Sequence, residues 1–396
     1  MNGARASIPH GDVLLPAMVI RESCLDNNLE VMARYVRERG CFLAPHGKTT
    51  MAPQLFRRQL EHGAWGITVA NVAQARVALT AGPGRILIAN EIVGPADIAQ
   101  LAGWTHQAGP EIRCLVDSVT GVRILDGELA RAGVSGRVPV LVEVGVPGAR
   151  TGTRSRASVR AIAEAANASG HVALTGVEGY EGVIGSDRHP GTLARVDRYL
   201  KGLRDATLEL ARSGAFSAQW NVVLSAGGSK YFDRVAETFR PAALPIDPRP
   251  DVVIRAGAYI THDHGIYARV SPLAGPDAAG RSLLPALEVW ADVISVPEPG
   301  RAIVAMGKRD VPFDLDLPVP LHAAGRTGRV TPAPPGLAVV ALDDQHCYLD
   351  MAGRAVAVGD RLGFGVSHPC TAFDKWRQIA MVDADYNVVS TVSTYF

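Results

Sequence analysis

The sequence predicts a (β/α)₈ barrel followed by a β-rich C-terminal domain, and three observations carry that reading. Between roughly residue 23 and residue 260, a short apolar run, a turn and a helical pattern alternate eight times. The runs LIAN, CLVD, VLVEV and VVLSA are continuous in Val, Ile and Leu, as in strands covered on both faces of a parallel sheet. After about residue 266 the helical patterns give way to strand-like segments rich in Pro and Gly.

Taken in order, the expected barrel strands are Cys41–Pro45, Gly66–Ala70, Arg85–Asn90, Ile112–Asp117, Val138–Val144, Ala173–Glu178, Trp220–Ser225 and Asp251–Arg255. Between them, Ala73–Ala81, Ala157–Ala168 and Leu193–Ser213 carry apolar residues at three- and four-residue spacing and read as helices. Gly82-Pro83-Gly84 and the stretch from Gly133 to Gly136 mark junctions. A doubly wound open sheet is the main alternative. Eight units, and the lack of a Gly-rich turn after the first strand, favour the closed barrel. The barrel is expected over residues 23–265 and the β-rich domain over 266–396, where LEVWADVISV, LAVVAL and DRLGFGV read as strands. Residues 1–22, with VLLPAMVI, are expected to add a strand to that second domain.

Composition narrows the function. The 396 residues exceed one ordinary domain, and 47% hydrophobic with 20% charged residues suits a globular protein with a sizeable core. A net charge of +1 without a long basic block gives no support to a nucleic-acid or anionic-membrane partner. The N-terminus lacks a secretory pattern, and no run of eighteen apolar residues occurs. Cysteines at 24, 41, 114, 347 and 370 are odd in number and dispersed, which argues against a disulfide scaffold. A cytoplasmic protein acting on a small molecule is expected.

In parallel barrels the chemistry sits at the C-terminal ends of the strands, with phosphate sites after the last two. The first strand ends in Pro45-His46-Gly47-Lys48-Thr49. A buried amine with a lowered pKa there can form a Schiff base; otherwise Lys48 is an ordinary surface lysine. The fifth strand leads to Arg150, a planar cation suited to a ring nitrogen or a carboxylate. The sixth leads to Tyr180, flanked by glycines, as a rim aromatic or proton-donating ligand. The seventh ends in Ser225-Ala226-Gly227-Gly228-Ser229, whose backbone N–H groups and hydroxyls can cradle an anion. Gly257 and Tyr259, after the eighth, can complete that cradle. In the β-rich part, His368 and Cys370 offer a nitrogen and a thiolate to one borderline-soft ion, zinc being the natural choice. Asp343-Asp344-Gln345-His346 is either a further ligand source or a hairpin turn.

Together these residues resemble the D-threonine aldolase and D-serine dehydratase family, which includes D-threo-3-hydroxyaspartate dehydratases. That family belongs to the alanine-racemase-like, fold type III class of pyridoxal-phosphate enzymes. The likeness covers nearly the whole chain. It rests on Pro-His-x-Lys-Thr around Lys48, the Arg150 loop, Gly227-Gly228 and the late His368-x-Cys370. It implies that Lys48 bears pyridoxal 5'-phosphate and that His368 and Cys370 hold a divalent metal, zinc or manganese, beside the substrate's β-hydroxyl; His46 and Tyr180 are the further catalytic candidates. Members with Cys in the second metal position are typically dehydratases, whereas aldolases usually carry Asp. The basic pair that usually follows the lysine motif is replaced here by Thr50-Met51.

The activity implied is metal-assisted β-elimination from a D-3-hydroxy amino acid such as D-serine or D-threo-3-hydroxyaspartate, giving a 2-oxo acid and ammonia. Lys48 would be the base for the Cα proton. Retro-aldol cleavage of the D-threonine aldolase kind is the alternative with the same parts. A racemase and a non-catalytic cofactor-binding protein are the others, and neither uses the metal pair. A homodimer is expected by analogy with the class.

Overall fold

The computed structural model describes residues 5–105, 109–275, 281–353 and 356–396. Among them no helix is long and apolar enough to cross a membrane. The chain divides into two compact units. One comprises residues 1–31, 49–55 and 258–396; the other comprises 32–48 and 56–257.

The second unit holds eight parallel strands, Phe42–Leu43, Ile67–Val69, Arg85–Glu91, Glu111–Val116, Val138–Glu143, Val172–Glu178, Val223–Ala226 and Asp251–Ile254. Numbered along the chain, their order in the sheet is 1-8-7-6-5-4-3-2. The sheet curls until its two end strands meet. His46 bridges Thr68 in parallel, Thr68 N donates to Pro45 O at 3.0 Å, and Trp65 N donates to Leu43 O at 2.7 Å. The predicted (β/α)₈ class is therefore observed. Ala44, Trp65, Leu87, Leu115, Leu141, Val223 and Val253, from seven different stretches of chain, pack into one buried cluster. Their Val and Leu side chains each contribute about 1.5–3 kcal/mol through burial. Helices Val72–Leu79, Arg156–Ala168 and Pro190–Arg212 lie within three residues of the ranges their periodicity predicts.

Three strands are shorter than the sequence suggests by two residues or more. Cys41–Pro45 contracts to Phe42–Leu43, Gly66–Ala70 to Ile67–Val69, and Trp220–Ser225 begins only at Val223. In the first case Pro45 has no N–H to donate to a ladder, and its carbonyl is spent on the closing bond to Thr68.

The first unit is built on a ten-stranded sheet. Strand Ala17–Arg21 lies inside it, antiparallel to Leu287–Glu298 (Ala17 opposite Trp290) and parallel to Gln378–Val382 (Val19 opposite Ala380). AMVI is apolar on both faces, as an interior strand requires, and is almost wholly buried. On the neighbouring strand, buried Glu288 accepts from Trp290 Nε1 at 3.1 Å and Tyr386 Oη at 3.0 Å, and His322 stacks on Trp290 at 6.0 Å. The segment Asp343–His346 is the turn of the hairpin formed by Ala338–Leu342 and Cys347–Asp350, with Asp343 N donating to His346 O at 2.8 Å. Its four side chains are exposed. They make a turn, and the ligand role is not supported.

Candidate active site

Because all eight barrel strands are parallel, their C-terminal ends open on one side, and the predicted residues of this unit follow those ends. Lys48 sits in a single 3₁₀ turn, Gly47–Thr49, directly after the first strand's closing bridge. The turn needs glycine at its start, because a Cβ on Gly47 would come within 2.9 Å of the Phe56 ring. Lys48 is exposed, so the expectation of a buried amine is not met.

His46 lies under that turn. Its Nδ1 is buried with no hydrogen-bond partner among the described residues. Burial, followed by the positive charges of Lys48, Arg255 and Arg150, holds its pKa well below the usual imidazole value. His46 is therefore neutral at physiological pH. The same interactions show that Lys48, Arg150 and Arg255 converge on one place.

Arg150 rides on a loop pinned at its base. Gly145 N donates to Thr153 O at 3.0 Å, Thr153 N to Glu143 O at 2.8 Å, and Arg154 Nη1 to Thr151 O at 2.8 Å. The Arg150 guanidinium stands 4.6 Å from the ring centroid of Tyr180, a cation–π contact that orients both. The structure thus brings together His46, Lys48, Arg150 and Tyr180.

At the seventh strand end the structure departs from expectation. Gly227 N and Gly228 N do not face an open cradle; both donate to the carboxylate of Glu181, at 3.0 and 2.7 Å. Glu181 is fully buried. The Ser225 hydroxyl is likewise committed, donating to Val253 O at 3.0 Å within the sheet. Gly227 has φ of +99°, which explains glycine there, and a Cβ on Gly228 would meet the Tyr180 ring at 2.7 Å. The paired glycines accommodate a left-handed turn and an aromatic ring, while Glu181 takes the N–H groups that an external anion was expected to use. Ser229, half-buried, and Gly257, buried, remain for an anion in this unit. Tyr259 belongs to the other unit, buried in the turn Ala258–Ile260.

Sequence reasoning gave no role to the carboxylates that ring this mouth. Glu178, at the sixth strand's end, is ion-paired with Arg255, and both are at least 95% buried. Arg255 also donates to Gly179 O at 2.9 Å. Burial pushes the Glu178 carboxyl up to about 7 against the downward pull of Arg255. Burial, and then the neighbouring Glu143, push Glu91 well above the usual carboxylate range.

The buried pair yields a prediction. Arg255→Ala leaves Glu178 without its partner, at a cost of about 3–5 kcal/mol while Glu178 stays ionised. A carboxyl raised in the folded state adds stability below its unfolded value of 4.5 and loses it as pH rises through the folded value. Without Arg255 that folded value rises further, so the variant's deficit should be larger at pH 8.5 than at pH 6. Thermal denaturation at both pH values checks this; equal deficits would contradict it.

In the first unit, His368 and Cys370 meet. The hydrogen bond with Cys370 is the largest influence raising His368 to about 9, with the Cys370 charge and Asp314 adding to it against burial. Thr49, the residue after Lys48, lies in this unit with its Oγ1 3.3 Å from Cys370 Sγ. The backbone at His368 is left-handed, φ +63°, a conformation costing a non-glycine residue about 1–3 kcal/mol. Fully buried Asp263 holds it: its Oδ2 accepts from His368 N at 2.9 Å and its Oδ1 from Gly265 N at 3.0 Å. Asp314 Oδ2 lies 2.5 Å from His368 Nδ1. Neither aspartate was singled out in the sequence. Among the described residues, no group of three or more His, Cys, Asp or Glu side chains is arranged to hold a metal. The donor set for an ion is a pair, one nitrogen and one sulfur.

Residues 20–229 match the family model described as alanine racemase, N-terminal domain, which is more than half of the chain. The chain belongs to the alanine-racemase-like family. Residues 286–382 match the putative serine dehydratase domain, placing this family member in the branch with D-threonine aldolases and D-serine dehydratases. D-threonine aldolase of Arthrobacter sp. is 27% identical over 343 residues, covering 87% of this chain and 82% of that one. Among solved structures, D-threonine aldolase from Filomicrobium marinum aligns with a TM-score of 0.80 at 23% identity, covering 99% and 98% of the two chains. D-threo-3-hydroxyaspartate dehydratase from Delftia sp. aligns at 0.76 and 23% identity, covering 98% and 99%. These relatives are lyases, and pyridoxal phosphate is the cofactor that the family implies. The barrel mouth fits that group: an exposed lysine, Arg150 for a negative charge, an orphaned buried imidazole nitrogen and an aromatic ring.

Proposed function

We propose that this family member is a pyridoxal-phosphate lyase that eliminates water from D-3-hydroxy amino acids to an enamine, which hydrolyses to a 2-oxo acid and ammonia, of the D-serine or D-threo-3-hydroxyaspartate dehydratase kind. When bound, pyridoxal phosphate supplies an electron sink for charge at Cα, and a divalent ion supplies a Lewis acid for the β-hydroxyl. Lys48 would hold the cofactor and, once freed by the substrate amine, take the Cα proton on Nζ. Arg150, braced over Tyr180, would hold a negative group of cofactor or substrate. His46, kept neutral by its surroundings, offers an uncharged nitrogen beside the amine. Ser229 and Gly257 would bind the phosphate, with Gly227 and Gly228 contributing shape and Ser225 strand pairing.

The observation carrying the dehydratase reading over the aldolase one is the imidazole–thiol contact between His368 and Cys370, where aldolases of the family usually carry Asp. A thiolate–imidazole pair suits zinc, leaving further positions for water and the substrate hydroxyl. Racemization would leave this pair without a purpose.

The test is a product analysis. Holoenzyme supplied with a divalent ion is incubated separately with D-serine, D-threonine and D-threo-3-hydroxyaspartate, and 2-oxo acid, ammonia and aldehyde are assayed independently. Equal amounts of oxo acid and ammonia without aldehyde are expected. Aldehyde with glycine would establish the aldolase instead, and L-isomer formation alone would establish a racemase.

A further inference from the structure

We propose that Asp314 is a positioning residue for the metal site: it accepts the Nδ1 proton of His368 and so presents Nε2, with its lone pair, to the cation. The inference rests on the metal reading of His368 and Cys370. It adds the residue that sets which ring nitrogen is available, and it is invisible in the sequence, where Asp314 lies 54 positions before His368.

Three contacts define the arrangement. Asp314 Oδ2 lies 2.5 Å from His368 Nδ1, and the Thr371 hydroxyl donates to Asp314 Oδ1 at 2.8 Å. Thr371 Oγ1 is also 3.3 Å from Nδ1. A hydroxyl has one hydrogen, and here its shortest contact is with the carboxylate, so toward Nδ1 the Thr371 oxygen can only accept. Nδ1 therefore faces two acceptors and must carry the proton. With Nδ1 turned to Asp314, Nε2 is the ring nitrogen left to meet a cation. A carboxylate on the far nitrogen is also how ligating imidazoles are ordinarily fixed and made more basic.

The backbone leaves the ring little choice. Asp263 fixes His368 N, and Ser367 Oγ donates to Asp316 Oδ2 at 2.8 Å, so the residue before His368 is tied as well. Asp314 is partly exposed, with 41% of its side-chain surface open, so its effect should be one of alignment at the lower end of what such partners give.

The experiment measures metal affinity directly. Full-chain holoenzyme is freed of metal and titrated with zinc(II) against a chromogenic chelator, and cobalt(II) is added separately to record its visible ligand-field spectrum. Asp314→Ala is expected to weaken zinc binding by about 10-fold to 100-fold and to alter the cobalt spectrum. The cofactor absorption and melting temperature should stay close to those of the parent. Asp314→Asn, which retains an accepting oxygen, should recover part of the affinity, and His368→Ala should abolish binding. Zinc binding by Asp314→Ala at the parental affinity, with His368→Ala still defective, would overturn the role of Asp314 alone. Failure of the parent to bind, or binding that survives in His368→Ala, would overturn the metal reading and this inference with it. Should Asp314→Ala fail to fold, Asp314→Asn decides, and unchanged affinity and cobalt spectrum there would refute the role.

Discussion

Lys48→Ala is expected to lose the visible absorption of the cofactor-bound enzyme and to slow turnover by at least about 10²–10⁴-fold, the usual worth of a positioned general base. The loss should be larger than that, because the same amine is the proposed attachment point for the cofactor. Free pyridoxal phosphate should still bind to the variant through Arg150 and the Ser229–Gly257 region, more weakly and without the shifted band. The fold should be little affected: Lys48 is exposed, and the turn that carries it is shaped by Gly47 against Phe56. Spectra, cofactor affinity and melting temperature of one preparation separate these effects. A variant that kept the band and half the activity would place the chemistry elsewhere.

The second large effect concerns the metal pair. Chelation of the holoenzyme should abolish ammonia release while leaving the cofactor absorption intact, and a divalent ion should restore turnover. Cys370→Ala should fall to the chelated level, about 10²-fold or more below the parent, and resist rescue, because removing one of two protein ligands leaves too few donors to hold the ion. The variant should fold: Cys370 is half-buried, and its recorded contacts are with polar groups of Thr49 and His368. Chelated enzyme that turned over D-serine at the full rate would remove the metal from the reaction and return His368-Pro369-Cys370 to a structural loop.

The parts of this account that were legible in the sequence share one property: they depend on order along the chain. Parallel strands buried on both faces must be apolar runs, so VLVEV and CLVD were readable as Val138–Glu143 and Glu111–Val116 within a residue. Once the strands were placed, barrel geometry put Lys48, Arg150 and Tyr180 at one end without further information. What failed depends on partners distant in sequence. Gly227 and Gly228 read as an anion cradle because no local pattern announces that Glu181, 46 residues earlier, reaches their N–H groups. The Ser225 hydroxyl read as a ligand for the same reason, its acceptor Val253 lying one strand over. Arg255 was visible at the end of the eighth strand, but its pairing with Glu178 follows from the adjacency of the sixth, seventh and eighth strands. Asp263 and Asp314 carry no local signal in the sequence, and only their contacts with His368 distinguish them.

The most direct test of the central claim is to trap the cofactor on its lysine. Borohydride reduction of the holoenzyme, followed by peptide mapping, identifies that residue without reference to substrate or metal. The chain offers a sharp choice, since its lysines are Lys48, Lys201, Lys230, Lys308 and Lys375. Lys201 is exposed on the long helix Pro190–Arg212, while Lys308 and Lys375 flank the Phe313 ring in the first unit. Lys230 is the serious competitor: it follows Ser229, and burial lowers its pKa, although its Nζ already donates to Gly185 O at 3.2 Å. The account predicts pyridoxyl label on the peptide containing Lys48 and on no other. Label on Lys230, or no stable label at all, would contradict it.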